Sequence, residues 1–186
     1  MDFDEPIHPI SRSSAIAGHT PATGRSWYAK GLLHSPKYPD RPAPVPGATT
    51  LVSGRSVLAH SIAVPLADGL GMHAEMACRA ARRFTDLSSE NEAPGFMRNP
   101  GELFDKAFTY LAAYPNGDVR IIRGEGIKKR ERNKETGKVE MVLKKPSLDD
   151  ILTGIGHRDG AWLLCLDFIV RHVEIELRKH AQGEAD

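Results

Sequence analysis

The sequence predicts an α+β fold in which a small antiparallel or mixed sheet with a long charged β-hairpin packs against about four helices. An extended proline-rich N-terminal arm is predicted to precede it. Three observations lead to this prediction: prolines cluster near the N-terminus, helical periodicity recurs further along, and two strand-like runs flank a basic connector. Strands and helices do not alternate regularly, so a doubly wound parallel sheet is not expected.

The first 48 residues are predicted to be the arm, and residues 49–182 the globular domain. Eight of the thirteen prolines lie between Pro6 and Pro46. Proline lacks an amide donor and fixes φ, so we expect this region to be extended. Its aromatic residues favour an arm that lies along its own domain or along another subunit, with Trp27 and Tyr28 as the partner-binding anchors. A loose leader is the alternative.

Two strands and a helix are predicted to open the globular domain. Thr49 to Ser53 and Ser56 to Val64 are rich in β-branched and small residues, which favours two short strands or one bulged strand. In Met72 to Leu87, alanines and Phe84 recur at helical spacing. This pattern predicts a helix that can pack closely against its neighbours.

A second helix is predicted after Asn99. Asn99 to Glu102 supplies an N-cap, a first-turn proline and a glutamate at the N3 position. Phe104 and Leu111 follow at a spacing that suits a core-facing helix. Pro115 to Asp118 then has the composition of a turn.

A long hairpin with a basic tip is predicted between Val119 and Lys145. Ten Lys/Arg and four Asp/Glu lie between Arg120 and Lys145, a local balance of +6 in a chain whose net charge is +1. Such polarised charge indicates an anionic partner. The alternative is a solvated tip whose charges pair across the strands. The residues predicted to bind nucleic acid are Lys128, Lys129, Arg130, Arg132, Lys134 and Lys138.

The C-terminal third is predicted to be helical. Ser147 to Asp150 is a variant of the capping box and begins a short apolar face. A longer helix is predicted from about Asp159 to His180, with Trp162 and Leu177 at the ends of its main apolar stripe.

Composition limits the class of protein. With 40% hydrophobic and 26% charged residues, the chain suits one globular domain with an appendage. No run approaches the ~18 apolar residues that cross a bilayer, and the N-terminus is acidic. We therefore expect no membrane association and a cytoplasmic protein. Cys78 and Cys165 sit in apolar patterns and are expected to be free thiols.

Two further segments are candidates for chemistry, and each has a structural alternative. His157 could act as a general base steered by Asp159 in a glycine-flanked loop, whereas Asp159 could simply cap the following helix. The hydroxyls of Ser53 and Ser56, together with Arg55, could bind a phosphate or could belong to a bulge.

His73-Ala74-Glu75 resembles the His-x-Glu element of zinc-dependent cytidine and adenosine deaminases. In those enzymes the histidine is a metal ligand and the glutamate shuttles protons, so the resemblance implies a zinc-dependent hydrolase that uses His73 and Glu75. The family also needs a Pro-Cys-x-x-Cys pair, which this sequence lacks, so a zinc site would be without two thiolates. The alternative is that both residues serve the start of a helix. We predict no metal and no cofactor.

These observations favour a non-enzymatic accessory or regulatory protein that binds nucleic acid or a nucleoprotein complex through the hairpin. The alternative is an assembly or inhibitor protein that binds a protein partner through the N-terminal arm. Catalysis ranks third, because no group of residues in the sequence supplies a nucleophile, a base and a stabilising group together.

Overall fold

The computed structural model describes residues 3–38, 40–43, 45, 49–88, 97–124, 127–132, 139–144 and 161–181. At 127–132 and 139–144 the description covers the backbone. These residues confirm an α+β fold with five α-helices and three small antiparallel sheets. In this described part of the chain, every helix is too short or too polar to cross a membrane.

The helices are α1 (Ile10–Ala17), α2 (Pro21–Ala29), α3 (Gly54–Val64), α4 (Ala74–Asp86) and α5 (Leu166–Ala181), and a π-helical turn (Pro65–Gly69) follows α3. The strands are β1 (Pro6–Pro9), β2 (Leu51–Ser53), β3 (Phe108–Ala113), β4 (Val119–Gly124), β5 (Ile127–Arg132), β6 (Val139–Lys144) and β7 (Trp162–Cys165). The sheets have the strand orders β1-β2, β4-β3-β7 and β5-β6. The predicted helix over Met72 to Leu87 is confirmed as α4.

Helix α3 lies at the centre of the core. Every residue of it except Arg55 is buried, and it contacts α1, α4 and α5. Ser53 caps the helix, because its Oγ accepts a hydrogen bond from the Ser56 backbone N–H at 3.1 Å. The prediction of a strand over Ser56 to Val64 is therefore wrong. A segment enclosed on all sides shows no periodicity, so its pattern does not distinguish a buried strand from a buried helix.

The prediction of an extended N-terminal arm is wrong for Ile10–Ala17 and Pro21–Ala29, which form the helices α1 and α2. Pro21 begins α2 instead of preventing it, since a proline in the first turn loses no helical hydrogen bond. The Thr20 side chain caps this helix by accepting from the Thr23 N–H at 3.2 Å. Trp27 and Tyr28 join the same hydrophobic cluster as α3 and α4. Residues before 48 thus contribute to the core.

The segment after Asn99 is a turn followed by strand β3, and the helix predicted there is wrong. Asn99 and Glu102 do bond to each other, with the Asn99 Nδ2 donating to Glu102 Oε2 at 2.8 Å. The chain then turns away from a helix, because Gly101 and Lys106 have φ values of 75° and 53°. The N-cap pattern has therefore produced an isolated turn.

The predicted hairpin is confirmed only in its distal half. Strand β5 pairs with β6, but Val119–Gly124 pairs with β3 across the predicted turn, where Gly117 has a φ of 89°. Residues 162–165 also pair with β3, so the predicted C-terminal helix begins at Leu166. β3 thus lies between β4 and β7 in its sheet and pairs with both. The short helix predicted after Ser147 lies outside the described residues.

A buried arginine closes the C-terminal end of α4. Arg98 is 3% exposed. Its Nη1 donates to the carbonyls of Phe84 and Asn99, both at 2.9 Å, and its Nη2 donates to the Leu87 carbonyl at 2.8 Å. The guanidinium also lies 4.6 Å from the centre of the Phe84 ring. The last carbonyls of a helix lack intrahelical partners, so a cation here stabilises the end of α4.

Candidate functional site

The β5–β6 hairpin divides the residues predicted to bind nucleic acid between two faces. Directly opposed residues share a face, and residues alternate between faces along a strand. The pairing register puts Lys128 opposite Leu143, Arg130 opposite Met141, and Arg132 opposite Val139. We call the face that holds these six residues the basic face. It carries three cations and no carboxylate.

The opposite face of the hairpin is balanced in charge. Lys129 and Glu131 lie on it from β5, and Glu140 and Lys144 from β6. Its two lysines are matched by two glutamates, and Glu131 is directly opposite Glu140. The residues predicted as one basic cluster are therefore separated by the backbone register. Lys134 and Lys138 lie outside the described residues.

His73 and Glu75 lie at the start of α4, where His73 is the N-cap residue and Glu75 is in the first turn. Among the described residues, no group of three or more His, Cys, Asp or Glu is placed to hold a metal ion. Burial raises the pKa of the nearby Cys78 to about 12, which keeps it as a neutral thiol. His73, Glu75 and a neutral Cys78 thiol do not supply the two thiolate ligands that the zinc site of the deaminases requires. His157 and Asp159 lie outside the described residues.

The segment predicted to bind phosphate already holds a carboxylate. The Asp40 Oδ1 accepts from the Ser53 N–H at 3.0 Å and from the Ser56 Oγ at 2.8 Å. Arg55 forms an ion pair with Asp4 and lies 4.2 Å from the centre of the Tyr38 ring. Asp40 thus takes the place at the start of α3 that a phosphate would need.

A network of four hydrogen-bonded polar side chains includes Tyr28, one of the two predicted anchors, and lies next to Trp27, the other. Tyr28 hydrogen-bonds to Ser13 at 3.2 Å, Ser13 to the His60 Nδ1 at 3.0 Å, and the His60 Nε2 to the His19 Nδ1 at 3.0 Å. Trp27 packs against both histidines. Because His60 lies 41 residues after His19 and 47 after Ser13, no short-range spacing in the sequence could have revealed this network.

Trp27 and Tyr28 are only 7% and 3% exposed. A residue that anchors a partner needs exposed surface, and the surfaces of these two rings are buried in the core. We therefore assign them to the packing of this chain and do not assign partner binding to them.

Burial holds His60 in its neutral form. The side chain is completely enclosed, and desolvation together with the nearby His19 lowers its pKa to about 3. A neutral imidazole has one donor and one acceptor nitrogen, so His60 donates to one neighbour and accepts from the other. Ser13 is also completely buried. Since no substrate reaches its hydroxyl in this conformation, the serine–histidine pair is structural.

The chain matches no protein-family model, and no curated protein is significantly similar to it. The structure itself therefore gives its structural class, which is that of an α+β protein with a charged antiparallel hairpin.

Proposed function

We propose that the protein is a non-enzymatic accessory or regulatory protein that binds nucleic acid, free or within a nucleoprotein complex, through the basic face of the β5–β6 hairpin. The observation that supports this proposal is the pairing register, which leaves Lys128, Arg130 and Arg132 together with no carboxylate among them. A face of one charge sign attracts polyanions, whereas mixed charges on one face would cancel.

The spacing of the three cations suits a phosphate backbone. Residues two apart on a strand are separated by about 6.6 Å, so Lys128 to Arg132 spans about 13 Å. One strand of B-form DNA places about four phosphates along that axial length. The positions opposite the cations are Leu143, Met141 and Val139, which add no charge to this face.

Binding of this kind is governed by phosphate contacts and is weakly sequence-dependent. Strands β5 and β6 contain no aromatic residue that could stack on bases. Each neutralised phosphate releases counterions, so three contacts predict a slope of log K against log salt of about −3. Raising the salt concentration is therefore expected to weaken binding steeply.

The proposal predicts that changing charges on the two faces has unequal effects. The test is fluorescence anisotropy with labelled single- and double-stranded DNA and RNA at two salt concentrations. The double variant Lys128→Glu/Arg130→Glu is expected to bind at least about tenfold more weakly than the wild type, since two phosphate contacts become repulsive. The matched control is Lys129→Glu/Lys144→Glu, which changes the net charge equally on the opposite face. We expect it to lose about threefold or less.

Equal losses in the two variants would show that net charge matters and the face does not. An absence of binding by the wild type at low salt would refute nucleic-acid binding altogether. Circular dichroism of both variants checks that the remaining fold is intact.

A further inference from the structure

A cavity of about 540 Å³ lies between the C-terminal half of α4 and the turn that joins β3 to β4. Small-molecule sites commonly have volumes of about 300–1,000 Å³. Three separate segments of the chain line this cavity, and its residues are Pro36, Lys37, Arg79, Arg82, Arg83, Asp86, Leu87, Gly117, Asp118 and Val119. We call it the α4 cavity.

Among the described residues of this lining, cations outnumber carboxylates by four to two. Lys37 and Arg79 are exposed, and neither forms an ion pair within the described part of the chain. Asp86 is 7% exposed, and its Oδ1 already accepts from the Thr85 hydroxyl at 2.8 Å. The two described carboxylates thus compensate only part of the positive charge of the α4 cavity.

Arg82 is held in place by a hydrogen bond to the backbone. Its Nη2 donates to the Gly31 carbonyl at 3.2 Å, which fixes the guanidinium at the wall of the cavity. Its Nε is buried and makes no hydrogen bond to any described residue. Desolvation lowers the pKa of this guanidinium, although Asp86 opposes the shift. An anion in the cavity would supply the compensating charge.

The lining also restricts the kind of anion. Arginine guanidinium groups bind phosphate oxygens through pairs of N–H donors. Three neighbouring arginines suit an anion with several charges and oxygens, as a phosphate has and a single carboxylate does not. Leu87 and Val119 offer apolar surface, which an inorganic phosphate does not use. Asp118 offers oxygens that accept hydrogen bonds from hydroxyl or amino groups. A compound with both a phosphate and a polar ring system satisfies all three features.

We propose that the α4 cavity binds a free nucleotide, with its phosphates at the arginines of α4 and its nucleoside toward the β3–β4 turn. This site is distinct from the hairpin. Val119 begins β4 and Gly124 ends it, so about 17 Å of strand separates the cavity from the backbone that leads into β5. Loss of one activity therefore leaves the other testable.

Isothermal titration calorimetry with ATP, GTP, CTP and UTP tests the proposal, with tripolyphosphate and adenosine as partial ligands. Saturable binding of at least one nucleotide is expected, and about tenfold weaker binding of both partial ligands. Arg79→Glu should weaken nucleotide binding by about tenfold or more, because it replaces a cation that donates hydrogen bonds to phosphate with a carboxylate that repels it. Arg79 is exposed, so this variant should fold normally.

The matched control is Arg171→Glu, an equal charge change at an exposed position of α5. It should bind the nucleotide like the wild type, and so should the Lys128→Glu/Arg130→Glu hairpin variant. The proposal is overturned if none of the four nucleotides binds, or if tripolyphosphate binds as tightly as the nucleotide. Equal affinity of Arg79→Glu and wild type would also overturn it, because the nucleotide would then lie elsewhere.

Discussion

Replacing Arg98 by methionine is expected to lower the free energy of unfolding by about 1–3 kcal/mol, the cost of leaving a buried polar group without its partner. Methionine keeps an apolar stem but has no donor, so the carbonyls of Phe84, Leu87 and Asn99 lose the bonds that Arg98 supplies. The Phe84 and Asn99 carbonyls keep backbone bonds from the N–H of Gly101 at 2.9 Å and of Glu102 at 3.1 Å. The Leu87 carbonyl has no such bond from any described residue, and a buried carbonyl left without a partner costs about 1–3 kcal/mol. Loss of the cation over the Phe84 ring adds to the destabilisation. Urea denaturation followed by circular dichroism measures the effect.

Two further variants serve as controls for that measurement. Arg171→Met removes an arginine from an exposed position of α5 and should change stability by less than about 0.5 kcal/mol. Arg98→Lys keeps the charge but not the planar fork, so we expect an intermediate loss. If Arg98→Met loses less than about 1 kcal/mol, the carbonyls have found other partners and the capping role assigned to Arg98 is wrong.

Acidification is expected to destabilise the protein through His60. The pKa of His60 falls from an ordinary 6.5 to about 3 in the folded chain. Between these two values the unfolded chain binds a proton that the folded chain does not, so the free energy of unfolding falls as the pH falls. The lost stability from this one group amounts to about 2 kcal/mol at pH 5 and about 3 kcal/mol at pH 4.

Stability measured from pH 7 to pH 4 in wild type, His60→Gln and His73→Gln isolates this contribution. Glutamine at position 60 retains a donor and an acceptor but cannot titrate, so its stability should depend less on pH. His73→Gln, at an exposed histidine, should follow the wild type. Burial raises the pKa of Asp40, which acts in the opposite direction but is common to all three proteins. Parallel curves for wild type and His60→Gln would contradict the prediction.

Sequence patterns predicted the elements whose two faces differ. The alanines and Phe84 of α4 lie on one side of a helix with arginines on the other, so the 3.6-residue period was visible. Helix α3 is buried around its whole circumference, and its uniform composition carried no period. Local signals at Pro21 and Asn99 misled for another reason: each fits a turn or a helix start, and tertiary packing decides between them.

The candidate sites were predicted only where they are local in sequence. The cations of β5 lie close together in the sequence, so their charge could be counted, but the division into two faces needed the register with β6. The α4 cavity joins Lys37, Arg82 and Asp118, which lie far apart in the chain. Such a site depends on how helix and turn pack, and no spacing rule contains that information.

The enclosure of α3 has a consequence for how the chain acquires its structure during synthesis. Its neighbour α1 is made before it, but α4 and α5, which cover its remaining sides, are made after it. When α3 leaves the ribosome, α5 has not yet been translated, so one apolar side of α3 is still without its partner. We therefore expect the N-terminal half to stay open and chaperone-accessible until α5 emerges, and the core to close in one late step.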